Sequence, residues 1–442
     1  MNLTLLETSQ LFQNHPVLME NSKYKLRYVN LLRYFVQKYA ADDIWSNQVI
    51  LLYAKKFCGL EELPVHEKFD LKQETKKVFA TKFRPFKFFT YKYCFIIDCI
   101  FMCAYLDRQK GEKLFSEISG FYKKRDQKDL RQVFEALYNS AIQTEQAEIQ
   151  PLMECWRKNR SFCEEEPLKV MITANMSAGK STLLNALVGK EVNKTQNEAC
   201  TAKIHKIVNK PFEDGLCYEL DYFLELDADY QTLMDDNVDN QSDEITVGTY
   251  FRTVGSSPKR IWLIDTPGVN SSQNVEHKLL TEKTICDSNV DLLIYLLNGE
   301  NIGTEDDRKH LLFILEHYHG KILFVVNKLD RFRRGEDSVQ ETLDAVTADL
   351  INIGFKEPKV VPVSSYAAYL AKMELFHENI DEDEQDEYNL LSRKMKKLEY
   401  QFDKYYPEEI REAVSIESEN EGYQLLLHSG VLHLEKLIYN MR

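Results

Sequence analysis

Apolar residues recur at three- and four-residue spacing through the first 165 residues, as in YVNLLRYFVQKYA (28–40), interrupted by Pro16, Pro64, Pro85 and Pro151. This pattern predicts an all-helical N-terminal region over 1–165. After Pro167 the texture changes. The runs LKVMIT, AKIHKIV, LCYELDYF, KRIWLID, VDLLIYLL, KILFVVN and PKVVPVS are short and β-like, and helical stretches separate them. Such alternation predicts an α/β domain over 166–442, built on a central, mostly parallel sheet, with a ligand at the loops that follow strand ends. Within it, an acidic helical insertion is expected at about 376–428.

The most apolar run, YCFIIDCIFMCAYL (93–106), is 14 residues long and contains Asp98. A membrane span needs about 20 apolar residues, so the run predicts a buried helix. The carboxylate run ENIDEDEQDE (378–387) reads as a solvated face rather than a cation site. Lys and Arg number 56 against 70 Asp and Glu, a net charge of −14, which argues against a surface built for non-specific nucleic-acid contact. Residues 1–150 carry 23 Lys/Arg against 18 Asp/Glu, so the remainder holds the whole acidic excess. One basic stretch, 68–92, interleaves eight Lys/Arg and two Asp/Glu with Phe69, Phe79, Phe83, Phe86, Phe88 and Phe89. It reads first as a packed helix with its basic face in water, second as a contact for anionic lipid, and third as a surface that stacks on nucleic acid. Nine cysteines without a C-x-x-C pair suit reduced thiols, and MNLTLLETSQ has no signal-peptide pattern. The expected location is cytoplasmic, with a peripheral place at a membrane as the alternative.

Candidate chemistry concentrates in ANMSAGKSTLLNAL (174–187), which follows the phosphate-loop pattern G-x-x-x-x-G-K-[ST] except that Ala174 stands at the first glycine. Backbone N–H groups of such a loop and the following helix N-terminus favour phosphate oxygens. Lys180 would reach the β- and γ-phosphates and the Ser181 hydroxyl would bind Mg²⁺. IWLIDTPG places Asp265 at a strand end, able to hold Mg²⁺ through a water, and Gly268 where its N–H meets a γ-phosphate. FVVNKLD supplies Asp330, an acceptor-only carboxylate matched to the two adjacent N–H donors of guanine. Lys328 can cover the purine face, and Asn327 can tie this loop to the phosphate loop. In PVSSYAA, Ser364 and Ser365 stand where a backbone N–H meets the guanine oxygen. The nucleotide-binding set is therefore Asn175, Met176, Ser177, Ala178, Gly179, Lys180, Ser181, Thr182, Asp265, Gly268, Asn327, Lys328, Asp330, Ser364 and Ser365, and the predicted ligand is GTP or GDP.

SAGKSTLLNALVG, ACTAKI, DTPGVNSS and NKLD together resemble the GTPase domain of the dynamin superfamily, specifically of bacterial dynamin-like proteins. The resemblance covers roughly 165–442, where HSGVLHLEKLIYNM looks like the closing helix, and Asp265 follows Thr201 by 64 positions, a long interval. By this resemblance Thr201 is the switch threonine that closes over Mg²⁺ and the γ-phosphate. The metal set becomes Ser181, Thr201 and Asp265, and the catalytic set Lys180, Ser181 and Thr201. The resemblance further implies a GTP hydrolase with Mg²⁺ as cofactor. It implies a homodimer in which GTPase domains meet across the nucleotide and accelerate hydrolysis. The N-terminal helices would form part of a bundle, and an anionic membrane surface or a partner dynamin-like chain is a further expected contact. Met176 stands where dynamins proper carry a glutamine, and Val269 follows Asp-Thr-Pro-Gly, so intrinsic turnover should be slow. Two alternatives stay open. An Era-type RNA- or ribosome-associated GTPase would need a basic module, and nothing after residue 370 looks like one, so nucleic acid is not the expected partner. A hydrolysis-poor GTP switch acting through a protein partner is favoured by Met176.

Overall fold

The computed structural model describes residues 2–64, 69–80, 82–84, 87–89, 91–175, 177–193, 203–235, 244–253, 259–267, 275–287, 289–333, 338–414 and 419–441. The chain forms two compact units. The first is Met1–Glu165 with Pro211–Tyr218 and Phe223–Asp227, and the second is Glu166–Lys210, Glu219–Tyr222 and Ala228–Arg442.

The first unit is mainly helical: α1 (Ser22–Tyr39), α2 (Ile44–Cys58), α3 (Leu71–Val78), α4 (Lys92–Ala104), α5 (Arg108–Ser119), α6 (Lys124–Tyr138) and α7 (Gln150–Glu164). Four of these helices start where a short polar side chain takes up a first-turn amide. Asn21, Asp43, Asp70 and Asp107 accept from Tyr24, Ser46, Gln73 and Lys110. The apolar run forms α4, buried at every position from Tyr93 to Ala104. Its cysteines are core residues; burial pushes the Cys94 and Cys99 thiols well up and that of Cys103 to about 12. Asp98, in the middle of this helix, accepts hydrogen bonds from His15 Nε2 at 2.9 Å, Tyr28 at 2.6 Å and Tyr53 at 3.0 Å. Basic stretch 68–92 is not one helix. It contains α3 and a small antiparallel pair, β1 (Lys82–Arg84) with β2 (Lys87–Phe89), and Pro85, which lacks the N–H a helix interior requires, falls between the strands. Phe69 stacks on Tyr34 and Phe79 on Tyr122, so these two aromatics serve packing. The side chains of 81–90 lie outside the described residues.

The second unit carries β3 (Leu168–Ala174), α8 (Lys180–Val188) and β4 (Ile204–Asn209); the short β5 (Tyr218–Leu220) and β6 (Leu224–Glu225) follow in the chain. Next come α9 (Tyr230–Asp235), β7 (Glu244–Thr249), β8 (Ile261–Asp265), α10 (Val275–Asp287), β9 (Leu292–Asn298) and α11 (Glu305–His317). The last elements are β10 (Lys321–Asn327), α12 (Val339–Ile353), β11 (Val360–Pro362), α13 (Ser365–Leu375), α14 (Glu382–Met395), α15 (Glu408–Ala413), α16 (Glu421–His428) and α17 (Val431–Asn440). Its strands hydrogen-bond in the order β11-β10-β9-β3-β8-β4-β7. Neighbours are parallel except β4 and β8, which run antiparallel with His205 opposite Asp265. This is the α/β class that the alternation predicts. The central strands β3 and β9 are buried nearly throughout, which explains their unbroken apolar runs. Parallel β3, β8, β9 and β10 deliver Ala174, Asp265, Asn298 and Asn327 to one edge of the sheet.

The acidic run begins α14. Asp381 caps it in a reciprocal box with Glu384, and Glu382 and Asp383 occupy the first turn, where the helix dipole favours negative charge. Behind the sheet, buried Lys372 of α13 pairs with Glu435 of α17 at 2.6 Å and also donates to Leu187 O at the end of α8. Among the described residues no cluster of His, Cys, Asp and Glu could hold a metal ion by itself, and no helix is long and apolar enough to cross a membrane.

Candidate nucleotide site

Ala174 ends β3 fully buried and in register with Leu296 of β9, an extended conformation that needs no glycine. The loop then turns through left-handed backbone at Ser177 (φ 61°) and Gly179 (φ 90°). Glycine is required at 179 for a second reason, because an added Cβ would stand 2.4 Å from Asn327 Nδ2. α8 begins at Lys180 with Gly179 as N-cap, so no side chain caps its first turn. The first-turn amides, beside Ser181 and Thr182, suit an anion. Asn175 is anchored from behind: its Nδ2 donates to Asp307 Oδ1 at 2.5 Å, and Tyr295 and Thr304 donate to the same carboxylate at 2.9 and 2.8 Å. Burial pushes the Asp307 carboxyl up. Beside it, Thr173 shares a 3.0 Å hydrogen bond with His310, whose burial lowers it to about 4.

Lys180 reaches across to form an ion pair with Asp265 Oδ1. Asp265 is fully buried, and its Oδ2 accepts from Asn193 Nδ2 at 3.1 Å. The Asp265 carboxylate at a strand end meets Lys180, and Ser181 follows Lys180 in the first turn of α8. Hard oxygen donors of this kind, few enough to leave most of the coordination shell to water and phosphate, fit Mg²⁺.

At the other end, Asn327 binds two loops at once. Its Nδ2 donates to Ala178 O at 2.8 Å, and its Oδ1 accepts from the Ser365 amide at 2.9 Å. Lys328 takes a left-handed backbone (φ 66°), and its stem lies beside Gly179. Burial lowers its ammonium. Asp330 is almost completely buried; burial pushes its carboxyl up, and a hydrogen bond from Ser364 offsets part of that. Ser364 also caps α13 through Ala367 N. The Ser365 hydroxyl is buried with no hydrogen-bond partner among the described residues.

Contacts therefore join Ala178, Gly179, Lys180, Asp265, Asn327, Lys328 and Ser365 into one edge, with Asn175 tied in from behind, Ser177, Ser181 and Thr182 on the same loop and helix, and Asp330 hydrogen-bonded to Ser364 beyond Lys328. Met176, Thr201, Gly268 and Val269 lie outside the described residues. Sequence reasoning missed Asn193, His205, Asp307 and His310. Thr304-x-x-Asp307 is a helix-start signature and could have flagged Asp307; Asn193 and His205 carry no local signal.

Residues 170–329 match the model of the Dynamin family. The chain is 27% identical over 214 residues to an Arabidopsis thaliana protein called probable transmembrane GTPase FZO-like, chloroplastic, covering 47% of this chain and 20% of that one. It is 26% identical over 196 residues to dynamin-like protein A of Bacillus subtilis (strain 168), covering 43% and 16%. The chain thus spans a fifth or less of the length of these relatives. A solved bacterial dynamin pair, described as providing a mechanism for the long range sensing and tethering of membranes, aligns over 97% of this chain and 61% of its own at 17% identity with a TM-score of 0.37.

Proposed function

We propose, from the match of residues 170–329 to the model of the Dynamin family, that the second unit binds GTP with Mg²⁺ and hydrolyses it slowly to GDP and phosphate. The observation that carries the reading is Asn327, whose amide holds the phosphate loop through Ala178 O and the base loop through the Ser365 amide. A side chain that spans both loops sets their spacing to one ligand with a phosphate tail at one end and a base at the other. The name of the Arabidopsis relative, a GTPase, agrees. At the base end, buried Asp330 selects guanine, because two adjacent N–H donors relieve a carboxylate that burial otherwise penalises. At the phosphate end, Lys180 and the first-turn amides of α8 take up negative charge. Ser181, Asp265 and, from the resemblance, Thr201 hold Mg²⁺, which when bound neutralises charge on the β- and γ-phosphates.

Turnover is slow in a lone chain, since Met176 and Val269 offer no group that orients water. It rises when two site-bearing units pair across the nucleotide. The test is phosphate release per molecule with Mg²⁺, measured over a wide range of protein concentration. A specific rate that climbs with concentration supports the reading. A fast rate independent of concentration overturns the pairing, and absence of guanine-nucleotide binding overturns the site.

A further inference from the structure

Asn193 is buried, and its Nδ2 donates to Asp265 Oδ2, the oxygen that Lys180 leaves; Lys180 engages Oδ1. The orientation of the amide follows from chemistry. A carboxylate paired with a lysine only accepts, so the atom facing it is the NH₂ group, and Asn193 Oδ1 is left to take the Nδ1–H of His205 at 3.1 Å. His205 sits on β4 directly across from Asp265 in the antiparallel pair. Asn193 is gripped from the helix side as well. Asn185 Oδ1 of α8 accepts from the amides of Val192 and Asn193, both at 3.0 Å, and Asn185 Nδ2 donates to Asn193 O at 2.9 Å. Asn185 and His205 are themselves buried. The helix that leaves the phosphate loop, the strand bearing Asp265 and its antiparallel neighbour therefore converge on one asparagine.

We propose that Asn193 is a positioning residue for the divalent cation: by holding Oδ2 it fixes the Asp265 carboxylate with Oδ1 turned toward Lys180, and His205 and Asn185 hold Asn193 in turn. The inference rests on the Mg²⁺–GTP reading above. A carboxylate on two rotatable bonds loses metal affinity when its outer partner is removed, and such partners are typically worth about 10- to 100-fold. An amide that only satisfied itself in the interior would affect folding stability and leave the metal requirement alone.

The test uses the full chain and a fluorescent N-methylanthraniloyl-GDP, titrated with Mg²⁺, alongside thermal melts without ligand. Asn193→Ala should raise the Mg²⁺ midpoint about tenfold while nucleotide affinity in EDTA stays within about twofold. His205→Phe keeps the ring volume, removes the Nδ1–H, and should shift the midpoint less, in the same direction; it carries the test alone where Asn193→Ala does not fold. A wild-type Mg²⁺ midpoint in the folded variants overturns the inference, even with a lower melting temperature, and leaves the GTP reading standing. If the wild-type chain binds no guanine nucleotide, the site reading falls and takes the inference with it.

Discussion

Two buried aspartates, one in each unit, show how the same side chain is put to different ends. Asp98 lies in α4 with no exposed surface, and its three hydrogen-bond partners are neutral. His15 accepts the Val17 amide on Nδ1 at 3.1 Å, so its own proton sits on Nε2 and points at Asp98. Burial and the Asp98 charge hold the Tyr28 and Tyr53 hydroxyls well above their usual range, and both stay donors at any ordinary pH. Asp265 is equally buried, yet it is shared between an amide behind it and a lysine with some exposure in front. The first carboxylate is closed on all sides by groups of its own fold. The second has one oxygen held by a buried amide and the other paired with a lysine that reaches solvent, and in the proposed function that lysine exchanges its partner for phosphate. A buried charge marks a site when one of its partners is replaceable.

Substitution at each aspartate's surroundings should separate the two roles. Asp98→Ala leaves three donors without an acceptor in a dry core, at about 1–3 kcal/mol each. The expected outcome is the largest effect here, a loss of about 3 kcal/mol or more in denaturant unfolding of the first unit. A loss near zero would mean that the cluster opens to water. Lys180→Ala should do the opposite, lowering GTP turnover roughly 100-fold with little change in melting, because the lysine acts on charge that develops in the reaction. If its melting temperature collapses and nucleotide affinity does not change, the Lys180–Asp265 pair is structural and the contrast fails.

How far each feature could be read from sequence follows from its range along the chain. The α/β class was legible in the alternation of runs, and Lys180, Asp265, Asn327 and Asp330 stood out because each sits in a short string beside its own strand. β7 was missed: EITVGT is brief, half polar and carries Gly248, so it lacks the apolar run that announced its neighbours. The reversal of β4 against β8 was invisible, since side chains alternate with period two whichever way a strand runs. Asp98 was visible as a break in an apolar run. Its partners, as far as 83 residues away, were not. Asn193 and His205 face the same limit, because only the pairing of β4 with β8 brings them to Asp265.

A smaller effect is expected at the base end. Guanine donors favour the ionised form of Asp330, while burial raises its pKa in the free protein. GTP affinity should therefore hold at neutral pH and fall as acid protonates Asp330, beginning above the usual carboxylate range. Asp330→Asn should weaken GTP by roughly 10- to 100-fold, the worth of hydrogen bonds to a charged group, and should flatten that part of the pH profile. A profile that keeps its shape in the variant would assign the acid limb to another group.

The smallest effect concerns stability and sets the second unit apart from the Asp98 cluster, whose tyrosines do not titrate. His310, against Thr173 and the Tyr295 ring and near Lys278, is lowered by burial to about 4, and His433 of α17 likewise. Between about pH 6.5 and 4 the unfolded chain binds protons that these buried rings refuse, so their contribution to stability is lost as pH falls through that window. Raised carboxyls at Asp307, Asp330 and Glu435 work in the other direction, because they bind protons more readily folded than unfolded. The two effects are separated by difference. Wild type should lose roughly 1–2 kcal/mol relative to His310→Gln on going from pH 7 to pH 5. A constant difference across that range would mean that the His310 ring takes up its proton alike in the folded and unfolded chain, and a relative gain by the wild type would mean that the ring already carries its proton in the fold.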